Sequence, residues 1–259
     1  TLATGWRVGA PPDMFNENGQ DWGLPPLNPI ALRAARFAPF IETVRAAVRH
    51  VSGVRLDHVM GLFRLWWIPP GAAPTQGAYV RQPNEVLLGI VRVEAYRAGT
   101  FVVGEDLGTV EHGVREAMAR SGILGTRVAW FEPEPPSRWP EASLATLTTH
   151  DLPTVAGVWL GTDGDAAMRE RLGSLVRVPA GSLSDDVIAA AHETLARSPS
   201  RLRLATLEDL CGVTARPNVP GTVSEFPNWR RRLPLRIDEF GRVGSIRATM
   251  NAFRETSRD

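Results

Sequence analysis

The sequence contains no lysine, because all 29 of its basic residues are arginine. Without a lysine amine the chain cannot form a Schiff base with pyridoxal phosphate or with a carbonyl substrate. It also lacks the lysine of a nucleotide-binding P-loop. These absences exclude two large classes of enzyme. The arginine bias itself more often reflects coding preference than function, since arginine and lysine are often interchangeable at a protein surface.

Cysteine, an excess of one charge and long apolar runs are also scarce. Cys211 is the single cysteine, so these residues form no internal disulfide. The formal net charge is +1 with acids and bases interspersed, which gives no support for nucleic acid or an anionic membrane as a partner. No apolar run reaches membrane-spanning length, and no charged segment precedes an apolar one at the start. We expect a cytoplasmic protein with an uncharged partner.

What the sequence does contain is an alternation of helical and strand patterns. A chain of 259 residues with 43% hydrophobic content can bury a substantial core. Residues 1–30 are rich in Gly, Pro and Asn and predict a long irregular loop. Strands are predicted near residues 54–59, 101–107, 126–131, 144–150 and 202–208. Helices are predicted near residues 39–50, 85–98, 110–121, 163–174, 184–198 and 245–254.

Strands separated by helices favour parallel pairing through right-handed crossovers. An open doubly wound sheet is one candidate, but no glycine-rich phosphate fingerprint follows any predicted strand. A barrel that lacks its first strands fits better, since a complete barrel usually needs about 250 residues and this chain spends many on loops. We therefore predict an α/β fold of the (β/α)8 TIM-barrel type, incomplete, with residues 1–259 forming one partial catalytic barrel.

Three predicted strands end on an acidic residue: VRLDH on Asp57, FVVGEDLG on Glu105 and LATLTTHD on Asp151. Any single acid at the end of a strand is often only a helix cap or the partner of an arginine. Three of them at the rim where α/β folds carry their chemistry favour acid/base catalysis on a neutral substrate. Glycosidic bond cleavage needs such a supply of carboxylates, one as nucleophile and one as proton donor.

The segments around these acids resemble the catalytic segments of the α-amylase clan, most closely its 4-α-glucanotransferase family, the amylomaltases. The resemblance rests on RLDH, GLFRLWWIP, GEDLG, and THD followed by TVAGVWLG. It extends to GAPPDMFNENGQDWG, which is similar to the active-site loop of that family, and to LEDLCG, RPNVPGT and PNWRRRL. It runs from about Gly5 to Leu233 with the motifs in the expected order, and it begins after the third barrel strand of the family.

The resemblance implies a role for each acid. Asp57 matches the nucleophile, which forms a covalent β-glycosyl-enzyme, and Glu105 matches the general acid that then deprotonates the acceptor. Arg55 lies on the same face of its strand as Asp57 and would keep that carboxylate ionised. Asp151 matches the third acid, which binds sugar hydroxyls and favours the distorted ring, and His150 binds the same sugar.

Other residues near these acids have more open interpretations. His58 follows the nucleophile and has either a supporting or a purely structural role. Residues 10–28 match the loop that folds over bound sugar in the family, and within it Asp13, Gln20 and Trp22 are expected to contact substrate. The remaining tryptophans are expected to be packing residues: Trp66, Trp67, Trp130, Trp159 and Trp229.

The resemblance implies a retaining 4-α-glucanotransferase, which moves α-1,4-glucan segments between maltooligosaccharides by double displacement. It implies no cofactor, and the sequence shows no His/Cys cluster or calcium loop that would indicate a metal. A covering loop favours transfer over hydrolysis because it excludes water. The alternatives are an α-glucan hydrolase or branching enzyme of the same clan, and a catalytically inactive truncated fragment or glucan-binding module.

Overall fold

The computed structural model describes residues 1–13, 16–179, 181–222 and 224–255. The chain divides into two compact units, Thr1–Gly125 and Thr126–Asp259, which are called unit 1 and unit 2 below. Both units combine helices with strands, so the predicted α/β class is confirmed.

Unit 1 carries two sheets. Its described strands are β1 (Arg7–Ala10), β2 (Gln20–Asp21), β3 (Gly53–Leu56), β4 (Arg64–Ile68), β5 (Ala78–Arg81) and β6 (Phe101–Gly104). Its described helices are α1 (Pro29–Ala34), α2 (Ala38–Val48), α3 (Asn84–Ala98) and α4 (Val114–Arg120). Strands β2, β1, β4 and β5 form an antiparallel sheet in that order, while β3 and β6 pair in parallel.

The antiparallel sheet was not predicted, since residues 1–30 read as an irregular loop. Gly9 explains part of the difference: a Cβ added there would lie 1.9 Å from the Gln20 carbonyl oxygen, so only glycine lets β1 and β2 approach this closely. The Trp- and Pro-rich segment after residue 64 also forms a strand pair, in which Trp66 lies opposite Tyr79 and their rings meet edge-on.

The parallel pair of β3 and β6 confirms the two strands predicted near residues 54–59 and 101–107. Val54 lies opposite Val102 and Leu56 opposite Gly104, so the two strands end level with each other. Helices α2, α3 and α4 cover them with the buried residues Val44, Val48, Leu88, Val91 and Met118. From the strands, Val102 lies in this core and Val54 and Leu56 pack against it.

Unit 2 contains most of a third sheet and the other described helices. Its described strands are β7 (Gly125–Val128, whose first residue closes unit 1), β8 (Ser143–Thr146) and β9 (Leu202–Leu204), in the order β7-β8-β9. Its described helices are α5 (Val155–Leu160), α6 (Ala166–Val176), α7 (Ser184–Ala196), α8 (Leu207–Leu210) and α9 (Gly244–Glu255). Strands β8 and β9 are parallel, as predicted.

All four residues of β8 are buried, as expected for a strand covered on both faces. Helix α7 contacts α5, α6 and α9 and supplies much of the unit 2 core. The strand predicted near residues 202–208 ends early because Thr206 caps α8, its hydroxyl accepting a hydrogen bond from the Asp209 amide. The loops that follow β8 and α8 carry the polar residues of this unit that matter for chemistry.

Candidate active site

The parallel pairing of β3 and β6 brings two of the three predicted acids together. Asp57 and Glu105 each directly follow the paired residues Leu56 and Gly104. The main chain continues the ladder past the strand ends, since the Glu105 amide donates to the Leu56 carbonyl at 2.9 Å and the Val59 amide donates to the Glu105 carbonyl at 3.1 Å. The two carboxylates are thereby fixed at the same rim by strand register.

One guanidinium reaches both carboxylates. Arg55 Nη1 lies 2.6 Å from Asp57 Oδ1, and Arg55 Nη2 lies 3.8 Å from Glu105 Oε2. The two acids differ in exposure, because the Asp57 side chain is 77% exposed and the Glu105 side chain only 19%. Arg55 therefore links an open carboxylate to a largely enclosed one, as its position two residues before Asp57 suggested.

The main chain of His58 adds a third contact that sequence reasoning missed. Its amide donates to Glu105 Oε2 at 2.6 Å, and the residue adopts the left-handed conformation with φ 43°. A residue other than glycine in this region is strained and is held there by its surroundings. The strained turn aims a backbone donor at the Glu105 carboxylate, which a sequence pattern does not reveal.

The His58 ring contacts Trp22 of the loop 10–28. Its centroid is 5.1 Å from that of Trp22, edge to face. Burial lowers the pKa of His58, and the neighbouring Asp57 charge offsets this only in part. The imidazole is therefore neutral at pH 7, and it supports Trp22 while its own backbone orients Glu105.

A cavity of about 510 Å³ within unit 1 opens beside these residues. Its polar wall includes Arg55, Asp57 and His58, and Trp22 contributes an indole face. The rest of the lining is mainly apolar, from the segment 24–27, from α2 and from β3. An apolar cleft with a few convergent polar groups is the usual form of a binding site for a small molecule.

The loop predicted to cover substrate, residues 10–28, contains β2. Trp22 Nε1 donates to Gln20 Oε1 at 3.1 Å, so these two predicted substrate residues fix each other. Asp13 lies in a separate turn of the same loop, where its carboxylate accepts from the Asn16 amide at 2.7 Å. Met14 and Phe15 lie outside the described residues.

The third predicted acid belongs to unit 2. Asp151 and His150 follow β8, with His150 Nε2 at 3.2 Å from Asp151 Oδ2. Asn218 Nδ2 donates to Asp151 Oδ1 at 2.6 Å, and the Asn218 amide donates to the His150 carbonyl at 3.1 Å. Asn218 thus orients both residues. The sequence assigned it no role beyond its place in the motif RPNVPGT.

Arg216, from the same motif as Asn218, also holds Asp151. It donates to the Asp151 carbonyl at 3.0 Å and forms a forked pair with Asp163 at 2.6 and 2.9 Å. Burial raises the pKa of Asp163, but the hydrogen bonds and charge of Arg216 together outweigh it, so this pKa lies below its ordinary value. A forked pair of this kind fixes both partners in orientation as well as distance.

Four of the five tryptophans that were predicted to be packing residues are buried or partly buried. Trp67 and Trp130 are buried, and the partly buried Trp66 and Trp159 donate to backbone carbonyls. The prediction that Trp229 packs is wrong, because it is 65% exposed with its ring centroid 5.2 Å from that of His150. It lies beside a predicted substrate residue instead of inside the core.

In the described part of the chain, no group of three or more His, Cys, Asp or Glu side chains is arranged to hold a metal ion. None of the helices among the described residues has the length and apolarity needed to cross a membrane.

The chain is similar to proteins of known family. The profile of the 4-alpha-glucanotransferase family matches residues 1–237. The 4-alpha-glucanotransferase of Mycobacterium tuberculosis (strain ATCC 25618 / H37Rv) is 43% identical over 266 residues, covering 88% of this chain and 36% of the relative. That of Haemophilus influenzae is 36% identical over 263 residues, covering 87% of this chain and 38% of the relative.

Solved structures give the same result. The crystal structure of amylomaltase from Corynebacterium glutamicum matches with a TM-score of 0.87 at 32% identity, covering 97% of this chain and 42% of that one. Amylomaltase from Streptococcus agalactiae in complex with acarbose matches in fold, with a TM-score of 0.79 at 20% identity, covering 97% of this chain and 51% of that one.

Paired carboxylates at the ends of parallel strands in an α/β fold are typical of proteins that process glycosidic bonds. Within that class, this chain belongs to the 4-alpha-glucanotransferase family. It spans a little over a third of the length of the two curated relatives described above.

Proposed function

We propose that the protein to which this chain belongs is a retaining 4-α-glucanotransferase that moves α-1,4-glucan segments between maltooligosaccharides. The observation that carries this proposal is the contact of Arg55 with both Asp57 and Glu105 at the ends of β3 and β6. A shared guanidinium is compatible with the separation of about 5 to 5.5 Å that carboxyl groups have in retaining enzymes. Family membership supplies the substrate class.

In the proposed double displacement, Asp57 attacks the anomeric carbon while Glu105 protonates the departing glycosidic oxygen. The bond from the anomeric carbon to that oxygen breaks as the bond to Asp57 Oδ forms. Glu105, now a carboxylate, removes the proton from the 4-hydroxyl of an acceptor sugar, which displaces Asp57 and restores both acids. The exposure of Asp57 suits attack on an incoming ligand, and the enclosed position of Glu105 suits proton transfer.

The remaining residues position the sugar. Asp151 and His150 bind hydroxyls of the reacting ring and favour its distortion, with Asn218 holding both in place. Asp13, Gln20 and Trp22 contact substrate from the loop 10–28. Arg55 balances the charge on Asp57 before the attack and after the acceptor has displaced it, when that group is a free carboxylate.

We further propose that the parallel strands of this chain form part of a (β/α)8 barrel, with residues 1–259 as one partial catalytic domain. In such barrels the catalytic residues follow the carboxyl ends of strands, as Asp57, Glu105 and Asp151 do along this chain. The cytoplasmic location stays a prediction.

Transfer in place of hydrolysis depends on which nucleophile reaches the glycosyl-enzyme. Trp22 supports transfer, because its indole lies at the cavity wall and is fixed by Gln20 and His58. A sugar stacked there would both supply the acceptor hydroxyl and displace water.

Supplying maltotriose to the whole protein tests the proposal. We expect glucose together with a ladder of longer maltooligosaccharides, and no net increase in reducing ends, measured by chromatography alongside a reducing-sugar assay. A rise in reducing ends would identify a hydrolase, and α-1,6 linkages in the product spectrum would identify a branching enzyme. Binding of maltooligosaccharide without turnover would identify a glucan-binding module and would refute the transferase.

A further inference from the structure

Trp229 combines an exposed position with an unfavourable backbone. Its side chain contributes little to a core, since the residue is 65% exposed. Its φ of 59° lies in the left-handed region, where a bulky side chain is strained and glycine or asparagine is preferred. Folding alone does not explain a large apolar side chain at a position with these two properties.

The loop around Trp229 holds it in this conformation. The Trp229 amide donates to the Pro217 carbonyl at 2.9 Å. Asn228 Nδ2 donates to the Thr222 carbonyl and hydroxyl at 3.0 and 2.8 Å, and Asn228 Oδ1 accepts from the Val219 amide at 2.9 Å. Hydrogen bonds thus tie Asn228 and Trp229 to the segment 217–222, and this scaffold presents the exposed ring.

That scaffold also touches two predicted substrate residues. Asn218, next to the acceptor carbonyl of Pro217, donates to Asp151 Oδ1 and to the His150 carbonyl. The Trp229 ring lies 5.2 Å from the His150 ring with an interplanar angle of 42°. One short loop therefore fixes a flat apolar face beside an imidazole and a carboxylate.

This combination matches the chemistry of a pyranose, which has apolar C–H faces and a polar rim of hydroxyls. An indole face pairs with the C–H face of the ring, while neighbouring imidazole and carboxylate groups hydrogen-bond to hydroxyls. Strained residues on a rigid scaffold are concentrated at ligand sites, where the strain is retained because the side chain is needed there.

We propose that Trp229 is a stacking platform for a glucosyl unit of the bound glucan, within a subsite of unit 2 formed with His150 and Asp151. The proposal rests on the proposed function, because it takes an α-1,4-glucan as the ligand. Trp229 binds and orients that sugar unit and takes no part in proton transfer.

The strained φ allows an unusually sharp test in the whole protein. Substitution by Gly or Asn removes the ring and relieves the strain of the left-handed backbone at position 229. Trp229→Phe retains both a flat aromatic face and that strain. We expect Gly and Asn to raise KM for maltotriose by about tenfold or more, which corresponds to the loss of about 1.4 kcal/mol of binding. We expect Phe to stay within about threefold of the wild type.

Thermal unfolding separates this role from a structural one. The Gly and Asn variants should unfold at the same or a higher temperature than the wild type, since they relieve strain. A structural role predicts the reverse, with a lower unfolding temperature and an unchanged KM, and that result would overturn the proposal. Tyr96→Ala on α3 is the matched control, because it removes another exposed aromatic ring (87% exposed) from unit 1.

Calorimetric titration with maltoheptaose separates the platform from the proposed function. If the wild type binds without turnover and Trp229→Gly does not bind, the stacking role of Trp229 is supported and the proposed transferase activity is refuted. If the wild type disproportionates maltotriose and Trp229→Gly has the same KM, the platform fails alone. A wild type that neither binds nor reacts refutes both.

Discussion

At the scale of single residues, Asp57 and Glu105 share a rim but not an environment. Asp57 is open to solvent and held by Arg55, whereas Glu105 is enclosed and accepts the His58 amide. The proposed roles require this difference, since a nucleophile must reach the sugar and a proton donor must be shielded from water. A chemical experiment can separate the two roles.

We expect Glu105→Gln in the whole protein to trap the glycosyl-enzyme. An α-maltosyl fluoride donor needs no protonation of its leaving group, so Asp57 still attacks, but no base remains to activate the acceptor. Mass spectrometry of the intact protein should show one added maltosyl group, and peptide mapping should find it on Asp57.

Asp57→Asn is the matched variant for this experiment. It retains Glu105 but lacks the nucleophile, so no adduct should form, and its transfer rate should fall by at least about 10³-fold. An adduct on any residue other than Asp57, or an Asp57→Asn protein with near-normal activity, would contradict the assignment.

The sequence predicted these two acids because strand-end position is a local property of the chain. It did not predict the hydrogen bond from the His58 amide to Glu105. The direction of that amide depends on a left-handed backbone, which the residue type does not indicate. Asn218 and Asp151 meet across 67 positions of sequence, and only the folded loop brings them together. The exposure of Trp229 was missed because tryptophan in a generic sequence is usually buried.

At the scale of elements, β6 reaches Glu105 through a residue that has no side chain. A Cβ at Gly104 would lie 2.7 Å from Met118 Cε and 2.9 Å from Val59 Cγ2. Core side chains fill the space beside this glycine. Gly104 therefore lets α4 and the turn after β3 pack against the strand.

We expect Gly104→Ala to destabilise the protein by about 1 to 3 kcal/mol, because it overpacks a dense core. It should also lower transfer activity by shifting Glu105. Urea unfolding measures the first effect and maltotriose disproportionation the second.

Gly89→Ala is the control for this substitution. Gly89 lies on the exposed face of α3, where an added Cβ meets nothing within 4 Å. Alanine there should stabilise the protein by about 0.5 to 1 kcal/mol, since glycine is a poor helix former. Equal effects of the two substitutions would show that the space around Gly104 is not limiting.

A buried acid of helix α8 contacts the start of helix α5. Asp209 is fully buried, and its Oδ1 accepts a hydrogen bond from the Val155 amide at 2.8 Å, four residues after Asp151. Burial raises the pKa of Asp209 to about 7, against the lowering effect of that hydrogen bond. The carboxyl therefore holds a proton in the folded protein over a range in which the unfolded chain releases it.

The sign of the pH effect follows from this difference. Between about pH 4 and pH 7 the folded state binds more protons at Asp209 than the unfolded state, so the free energy of unfolding falls as the pH rises. One proton changes it by at most about 1.4 kcal/mol per pH unit. Asp209→Asn retains an acceptor for Val155 but cannot titrate, so it should remove this component of the decline.

Urea unfolding at pH 5, 6, 7 and 8 measures this effect. The difference in stability between the Asn variant and the wild type should grow in favour of the variant as the pH increases. A constant difference across that range would mean that Asp209 is ionised in the folded protein at pH 5.

The strength of the local signal explains which elements were predicted. Helix α3 was placed well because its apolar pattern ends at Gly99, which has the left-handed conformation of a helix C-cap. Helix α4 starts later than predicted because Gly113, with φ 86°, forms a turn before it. Helix α5 is too short for a clear period, and the antiparallel sheet of unit 1 depends on pairing between distant segments.

At the scale of the whole molecule, family membership could be recognised in advance because it rests on ordered motifs. The hydrophobic pattern of a strand indicates only how that strand is buried, so it does not determine whether the strands form the proposed partial barrel. Charge is the one global property that the sequence gives directly. The net charge of +1 over these 259 residues gives no support for a charged ligand.

We therefore expect the transfer reaction of the whole protein to be insensitive to salt. A neutral glucan gains nothing from electrostatic steering, so kcat/KM for maltotriose should change by less than about twofold between 50 and 500 mM sodium chloride. The contact of Arg55 with Asp57 at 2.6 Å is shorter than the Debye length of about 3 Å even at 1 M salt. Screening should leave that pair intact.

Thermal unfolding at the same salt concentrations is the control, because it shows that the protein remains folded throughout. Screening acts on charges that meet across solvent, whereas the proposed chemistry uses charges already in contact. A fall in kcat/KM of tenfold or more, with an unchanged unfolding temperature, would mean that the ligand carries charge and that a neutral glucan is not the substrate.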